Sequence, residues 1–338
     1  MRLLVFPSSP ILTNGYGIAV YSDVQKLGKK TDDINVWYVV ASQKESVSGK
    51  VITRHTRYSI ATIKNLLRGR SSTEIDSSDL SFVAKDKIDY IFCGDVIFYR
   101  ALRKQFPNSK IYVRLHNCYS RIRDRIRLLQ NDSNLDIIFK IDLLTFYNLE
   151  REIFKDSNTY KIFISEEDRN YYTSNFGRYC DSEVWGFVPN MDKALLNRSN
   201  FEKINKLVWY GGLDLHKIDS VRWFIKGVFK KLIVDYPEIE FHLYGGGTEE
   251  FHDPSSNIIG HGFYKGNDMP FKNNALYINP DLTGGGVKIK IISYLENGTR
   301  FITNPFGFEG YSKDIIDNEY CIVKELDEWY DYLREALK

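Results

Sequence analysis

Cysteine is scarce in this chain and badly placed for a scaffold. Four cysteines, Cys93, Cys118, Cys180 and Cys321, are scattered over 338 residues with no CxxC pair. That excludes a disulfide-stapled small domain and a zinc ribbon, and predicts reduced, structural thiols in a cytoplasmic protein. No run of about 18 or more apolar residues occurs, so no membrane-spanning helix is expected. The opening Met-Arg-Leu-Leu-Val-Phe-Pro is too short for a signal-peptide core and reads as a first strand. The GxGxxG fingerprint and its following acid are missing, which argues against a nicotinamide-dependent oxidoreductase. Repeats and low-complexity tracts are absent as well.

The net charge is only +2, but it is unevenly spread. From Ser46 to Thr73 stand six basic residues and no acid: Lys50, Arg54, Arg57, Lys64, Arg68 and Arg70. From Lys110 to Leu128 come Lys110, Arg114, Arg121, Arg123, Arg125 and Arg127 against Asp124 alone. The first half therefore carries a basic region suited to an anionic partner. Arg121 and Arg125 lie beside Ile122, Ile126, Leu128 and Leu129. Cations with apolar neighbours suit an anionic membrane surface, so peripheral attachment to the inner face of the cell membrane is one expectation. The other is a solvated face, or pairing with the acidic remainder of the chain. Nucleic acid is not expected, since no recognition motif accompanies the charge.

Short apolar runs alternate with amphipathic stretches, the pattern of βα units and parallel sheets. Strands are expected at Arg2–Phe6, Asn35–Ala41, Asp89–Asp95, Lys110–His116 and Tyr160–Ser165. Helices are expected to about Lys29 and over Ile97–Gln105, Leu135–Phe154 and Glu166–Asn175. A polar stretch, Asn197–Lys206, interrupts the alternation. It restarts with strand Leu207–Gly211, helix Ser220–Asp235, strand Ile239–Tyr244, a weak strand near Ile258, strand Ala275–Asn279, helix Val287–Asn297, strand Arg300–Thr303 and a last helix from about Glu325. This divides the chain into a first α/β domain over 1–190, a linker over 191–206, a second domain over 207–324 and a C-terminal helix over 325–338.

The glycine loops carry the chemistry. In Asp281-Leu282-Thr283-Gly284-Gly285-Gly286-Val287-Lys288-Ile289-Lys290 a strand ends, three glycines follow and a helix begins. Glycines let a backbone approach a ligand, and a helix N-terminus offers free N–H groups and a positive dipole end. With Lys288 and Lys290 added, the junction suits a diphosphate; the alternative is a plain turn with solvated lysines. Tyr210-Gly211-Gly212 leads to Lys217 at a second strand-to-helix junction, where Lys217 can reach the same phosphates. Gly245-Gly246-Gly247 runs into Glu249 and Glu250, and reads as a tight turn. Asn14-Gly15-Tyr16-Gly17 opens the first helix and is either a plain turn or a loop that approaches a sugar or acceptor.

The order of these pieces resembles glycosyltransferase family four. Val188-Pro189-Asn190-Met191-Asp192 is similar to that family's domain junction, and Leu207–Lys217 to the segment ending in its phosphate-binding lysine. Ile239–Gly247 resembles its strand and turn, and Ile259–Phe263 its base-contacting loop. Tyr277–Lys290 and Gly298–Tyr311 resemble its glycine loop and the segment beyond. The resemblance implies a GT-B fold: two facing Rossmann-like domains with parallel sheets and an interdomain cleft. It implies metal-independent transfer of a sugar from a nucleoside diphosphate sugar, with no other cofactor, to a glycan or lipid-linked acceptor, as in bacterial surface polysaccharide synthesis. The expected donor-binding set is Gly15, Gly17, Gly212, Lys217, Gly262, Phe263, Gly284, Gly285, Gly286, Val287, Lys288, Lys290, Ser293 and Glu296. No Asp-x-Asp motif of metal-dependent transferases stands at a strand end. Three departures from the family stand out. Its arginine after the strand glycine is Gly212 here, and its paired donor-contacting glutamates fall on Gly285 and Ser293. Glu296 lies one helical turn past Ser293 and is the alternative carboxylate. His116, at a strand end where the family often has a histidine, and Asp95, at another, are the candidate catalytic residues. The alternative function is a catalytically silent, transferase-like binding protein or partner subunit. Inversion and retention at the anomeric carbon both stay open.

Overall fold

The computed structural model describes residues 2–6, 22–23, 26–27, 33–40, 50–53, 60–80, 88, 90–128, 137–177, 181–186, 203–213, 215–265, 269–311 and 320–338. The chain forms two compact units, Met1–Phe187 and Val188–Lys338. Gly15, Gly17, Arg54, Arg57, Leu129, Cys180 and the segment 187–202 lie outside the described residues.

The first unit is a parallel sheet of seven strands. They are β1 (Arg2–Phe6), β2 (Asp33–Val40), β3 (Lys50–Thr53), β4 (Tyr90–Cys93), β5 (Ile111–Leu115), β6 (Thr159–Phe163) and β7 (Ser182–Val184), in the order β3-β2-β1-β4-β5-β6-β7. Its helices are α1 (Ile60–Leu67), α2 (Tyr99–Gln105), α3 (Tyr119–Leu128), α4 (Ile137–Lys155) and α5 (Glu166–Phe176). The inner strands β4, β5 and β6 are largely buried on both faces, as crossover helices require of a parallel sheet. Ser165 caps α5 by accepting from the Asp168 amide at 3.1 Å, and Gly177 ends that helix at φ 89°.

The second unit repeats the plan with six parallel strands. β8 (Lys206–Tyr210), β9 (Glu240–Tyr244), β10 (Ile258–Gly262), β11 (Ala275–Asn279), β12 (Phe301–Thr303) and β13 (Cys321–Val323) pair in the order β10-β9-β8-β11-β12-β13. Its helices are α6 (Leu215–Phe224), α7 (Lys230–Asp235), α8 (Ile289–Glu296) and α9 (Trp329–Ala336), with a π-turn over Ile225–Phe229 joining α6 to α7. The helix expected from Ser220 thus starts five residues earlier, which puts Lys217 in its first turn. The C-terminal α9 packs into this core, where Trp329 meets Trp223 and Phe224 edge-on at centroid distances of 5.9 and 6.0 Å.

In both sheets the strand order reverses direction once, between β1 and β4 and between β8 and β11. At such a reversal the flanking loops leave to opposite sides and open a crevice beyond the carboxyl ends of the strands.

The basic region differs from the expectation for its second half. Ile122 and Ile126 on α3 turn inward and pack with Leu143 of α4. Arg121 pairs with Asp168 at 3.0 Å, and Arg123 pairs with Asp124 at 2.8 Å and lies 3.9 Å over the Tyr147 ring. The α3 apolar stripe therefore belongs to the core, because α4 lies against it. Among the described residues, no helix is long and apolar enough to cross a membrane.

Candidate functional site

Apart from Gly15 and Gly17, which lie outside the described residues, the residues expected to hold a donor stand in the second unit, at the end of β10 and on the loops and helices that follow β8, β10 and β11. Three strand ends are first stitched together by backbone. The Gly211 amide donates to Tyr244 O at 2.8 Å, the Gly245 amide to Gly262 O at 2.7 Å, and the Leu213 amide to Gly246 O at 2.9 Å. Gly245 holds φ 135°, and a Cβ there would collide with the Gly211 backbone, so only glycine lets β8 and β9 end this close together. The triple glycine is a tight turn, as expected, closed by the Thr248 hydroxyl donating to Gly245 O at 2.8 Å.

Next comes the loop between β11 and α8. Gly284 takes φ 131° and Gly286 φ 65°, a path that turns the strand end into the helix start. The loop is held from its flanks: Leu282 N donates to Ser220 Oγ of α6 at 3.1 Å, Asn304 Nδ2 to Asp281 O at 2.8 Å, and Tyr311 OH to Lys288 O at 2.7 Å. Lys288 is the N-cap of α8 and its side chain makes no capping bond to the first turn. The Ile291 amide donates to Lys288 O at 2.9 Å, so the first turn of α8 closes on backbone, without a side-chain cap. Lys288 Nζ curls over the Phe306 ring at 4.2 Å and donates to Gly286 O at 3.0 Å.

Lys290 is partnered in a way its sequence position does not announce. Its Nζ lies 2.8 Å from Asp281 Oδ1 and 3.8 Å over the Trp209 ring, almost fully buried. Asp281 is the acid that the glycine-loop reading overlooked; a polar residue two places past an apolar strand, nine before a lysine, is the signal that was there. Two acceptors at this strand end, Asp281 Oδ2 and Asn279 Oδ1, are buried with no hydrogen-bond donor among the described residues. Ser293 and Glu296 lie on one face of α8, both half-buried, with Glu296 at the last turn near the Tyr311 phenol. Neither Gly285 nor Ser293 supplies a carboxylate; the Asp281 carboxylate, paired with Lys290, stands at the start of the loop.

At β10, Gly262 ends the strand and Phe263 beside it is 74% exposed. A short polar relay sits beneath it. Glu240 Oε2 can only accept, so His242 Nε2 (3.0 Å away) carries the proton and His242 Nδ1 accepts from His261 Nε2 at 2.9 Å. Burial lowers the pKa of both rings, which keeps the pair neutral near pH 7. His261 also stacks on Tyr244 with centroids 4.1 Å apart.

In the first unit, Asp95 and His116 line one small cavity of about 10 Å³ with Arg114, Asn117 and Tyr119. Asp95 caps the short turn Val96–Phe98, accepting from the Ile97 amide at 3.2 Å. Burial, with the Arg114 charge adding to it, pushes the His116 pKa well below its ordinary value, so the ring is neutral at physiological pH. Arg114 is buried too, paired with Asp23 at 2.7 Å and donating to Phe163 O and Trp185 O at 2.6 and 2.7 Å. Both candidate catalytic residues follow strand carboxyl ends; Asp95 caps the turn after β4, and His116 is buried beside the Arg114 charge.

Two parallel α/β units with this strand order and these loops define the class: the chain has the GT-B fold. Sucrose-phosphate synthase from Thermosynechococcus elongatus superposes with a TM-score of 0.65 at 12% identity, over 100% of this chain and 90% of that one. WaaG, a glycosyltransferase involved in lipopolysaccharide biosynthesis, gives 0.56 at 12% identity, over 99% of this chain and 90% of its own. A UDP-forming α,α-trehalose-phosphate synthase from Burkholderia xenovorans gives 0.57 at 12%, over 100% and 91%. In sequence, the chain is similar to an uncharacterized 44.6 kDa protein in the cps region of Klebsiella pneumoniae, 23% identical over 250 residues. That match takes in 66% of this chain and 59% of the relative's length. No family model matches the chain.

Proposed function

We propose that the chain is a glycosyltransferase that takes a nucleoside diphosphate sugar as donor and a glycan or lipid-linked saccharide as acceptor. The observation that carries this reading is the β11–α8 junction, where a glycine loop, a helix start without a side-chain cap and lysines meet at the reversal point of a parallel sheet. As the sugar leaves, negative charge builds on the diphosphate. Preorganised amides with Lys217, Lys288 and Lys290 stabilise that charge without a metal ion or other cofactor. Lys290 is held in place for this by Asp281 and Trp209. The open Phe263 ring beside Gly262 suits stacking on a nucleobase. In the first unit, neutral His116 can exchange a hydrogen bond with an acceptor hydroxyl, and Asp95 is the carboxylate for a base. The cps-region relative supports a surface polysaccharide context.

Isothermal titration of UDP and GDP tests the site. Lys290→Ala alone would strand the buried Asp281 charge, so the cleaner variant removes both, Lys290→Met with Asp281→Asn. This variant and Lys217→Ala are each expected to weaken binding by about 1–3 kcal/mol while keeping the fold. If both bind the nucleotide like wild type, the site is elsewhere. One observation favours a silent, ligand-binding relative as the second reading: Gly285 and Ser293 stand where the resembling family has its glutamate pair. Slow donor hydrolysis without acceptor separates the two, since only the enzyme turns the donor over.

A further inference from the structure

Helix α1 is amphipathic the wrong way round for a helix lying on a sheet. Its polar Thr62 and Asn65 are buried, the latter donating from Nδ2 to Glu74 O at 2.8 Å. Its apolar Ile60, Ile63 and Leu67 face out, with Ile60 75% and Leu67 83% exposed. Helix α4 repeats the feature. Ile137, Ile141 and Leu144 are exposed at spacings of four and three, while Leu143, Phe146 and Leu149 of the same helix fill the core. Six of the eight large apolar side chains exposed among the described residues lie on these two helices. A soluble surface scatters such residues singly, so two rows mark a docking face.

The same faces become basic at one end. The α4 row continues at its spacing through Asn148, Arg151 and Lys155, all exposed. The α1 row runs into Arg68 and Arg70. These residues, with Arg100 of α2, line a pocket of about 540 Å³ that joins the two helices. Ser72, just past α1, fastens them by donating from its amide to Asp142 Oδ1 of α4 at 2.6 Å. Arg100 is held by Glu74 at 2.9 Å and Glu152 at 2.6 Å, and Arg68 by Asp76 at 3.0 Å. Among the described residues, Arg151 and Lys155 have no carboxylate partner. The pocket therefore keeps positive charge to offer.

We infer that α1 and α4 dock the chain on an anionic phospholipid bilayer, with the apolar rows in the acyl boundary and lipid phosphates in the arginine pocket. Apolar rows flanked by cations are what such a surface binds, and charge complementarity selects it over a second copy, which would bring basic against basic. This face replaces the α3 stretch, whose isoleucines are in the core. The inference concerns the first unit alone and stands whether or not the second unit binds a nucleotide.

Vesicle co-sedimentation tests it with the full chain. Wild type is expected to bind phosphatidylglycerol-containing vesicles at low salt, to bind phosphatidylcholine vesicles weakly, and to come off as salt rises. Arg151→Gln and Lys155→Gln should each lower partitioning about fivefold, the value of one cation near a charged surface. Leu67→Ser with Ile137→Ser should lower it on every vesicle, whereas Val234→Ser, an exposed apolar residue of the second unit, should leave it unchanged. A Leu67→Trp reporter should shift to the blue and be quenched by brominated acyl chains. No binding at low salt, equal binding to neutral and anionic vesicles, or an unquenched reporter would overturn the inference. So would a dimer in light scattering that Leu67→Ser and Ile137→Ser dissociate, because that would show a second copy covering the face.

Discussion

Glu150 of α4 is buried with both oxygens engaged at the start of α3, accepting from the Tyr119 and Ser120 amides at 2.9 and 3.0 Å and from the Ser120 hydroxyl. A carboxylate at a helix N-terminus is well placed, but burial dominates and pushes its pKa up from 4.5 to about 7. The folded state therefore holds this proton more tightly than the unfolded chain. The stability it contributes is complete below pH 4.5 and is lost as pH rises through about 7. Glu150→Gln removes that titration. The stability of wild type relative to the variant, from urea unfolding, should fall between pH 4.5 and 7.5; a constant difference would mean that Glu150 titrates normally. At this scale the sequence was only partly legible. It shows that Lys288 and Lys290 stand beside a glycine loop, yet not that Asp281 neutralises Lys290, because the pair closes only when β11 and α8 fold together. His116 and Asp95 are visible as polar residues ending apolar runs, but the Arg114 charge that helps keep His116 neutral, two residues earlier on β5, is buried beside it, and its role emerges only from packing.

At the scale of elements, the tight ends of β8, β9 and β10 give a paired test. Gly245→Ala meets a positive φ and the Gly211 backbone at once, and is expected to cost about 2 kcal/mol or more. Gly246→Ala, one residue on, meets nothing within 4 Å and should stay within roughly 0.5 kcal/mol of wild type. Thermal melts of the two variants decide it, and equal losses would contradict the account of this turn. β4, β8, β9 and β11 were legible because their apolar runs end at glycine or asparagine. β3, β7 and β13 were not: they have three or four residues and lie at sheet edges, so no period shows. α1 escaped notice for another reason. It lies inside the basic stretch, and its outward isoleucines and leucine invert the pattern by which surface helices are recognised.

For the whole molecule, two sheets of the same strand order, each with one reversal, follow from the repeated βα alternation, and this was the most legible level. The uneven charge resolves into two parts. Much of it is internal: Lys110 pairs with Asp181 at 2.6 Å, Arg114 with Asp23 and Arg121 with Asp168. A further part gathers at the ends of α1 and α4, where Arg68 and Arg70 of the first basic stretch meet Arg151 and Lys155, which lie outside both stretches. The central claim is that a nucleoside diphosphate binds at the carboxyl edge of the second sheet, on backbone amides and lysines, without a metal. Hydrogen exchange read by mass spectrometry, in EDTA, with and without saturating UDP or GDP, tests it most directly, because binding suppresses local opening where the ligand sits. The account predicts that at least one of the two nucleotides slows exchange at residues 211–217 and 282–291, and that Lys217→Ala reduces the effect. Protection confined to the first unit, protection that needs added Mg²⁺ or Mn²⁺, or none with either nucleotide would contradict it.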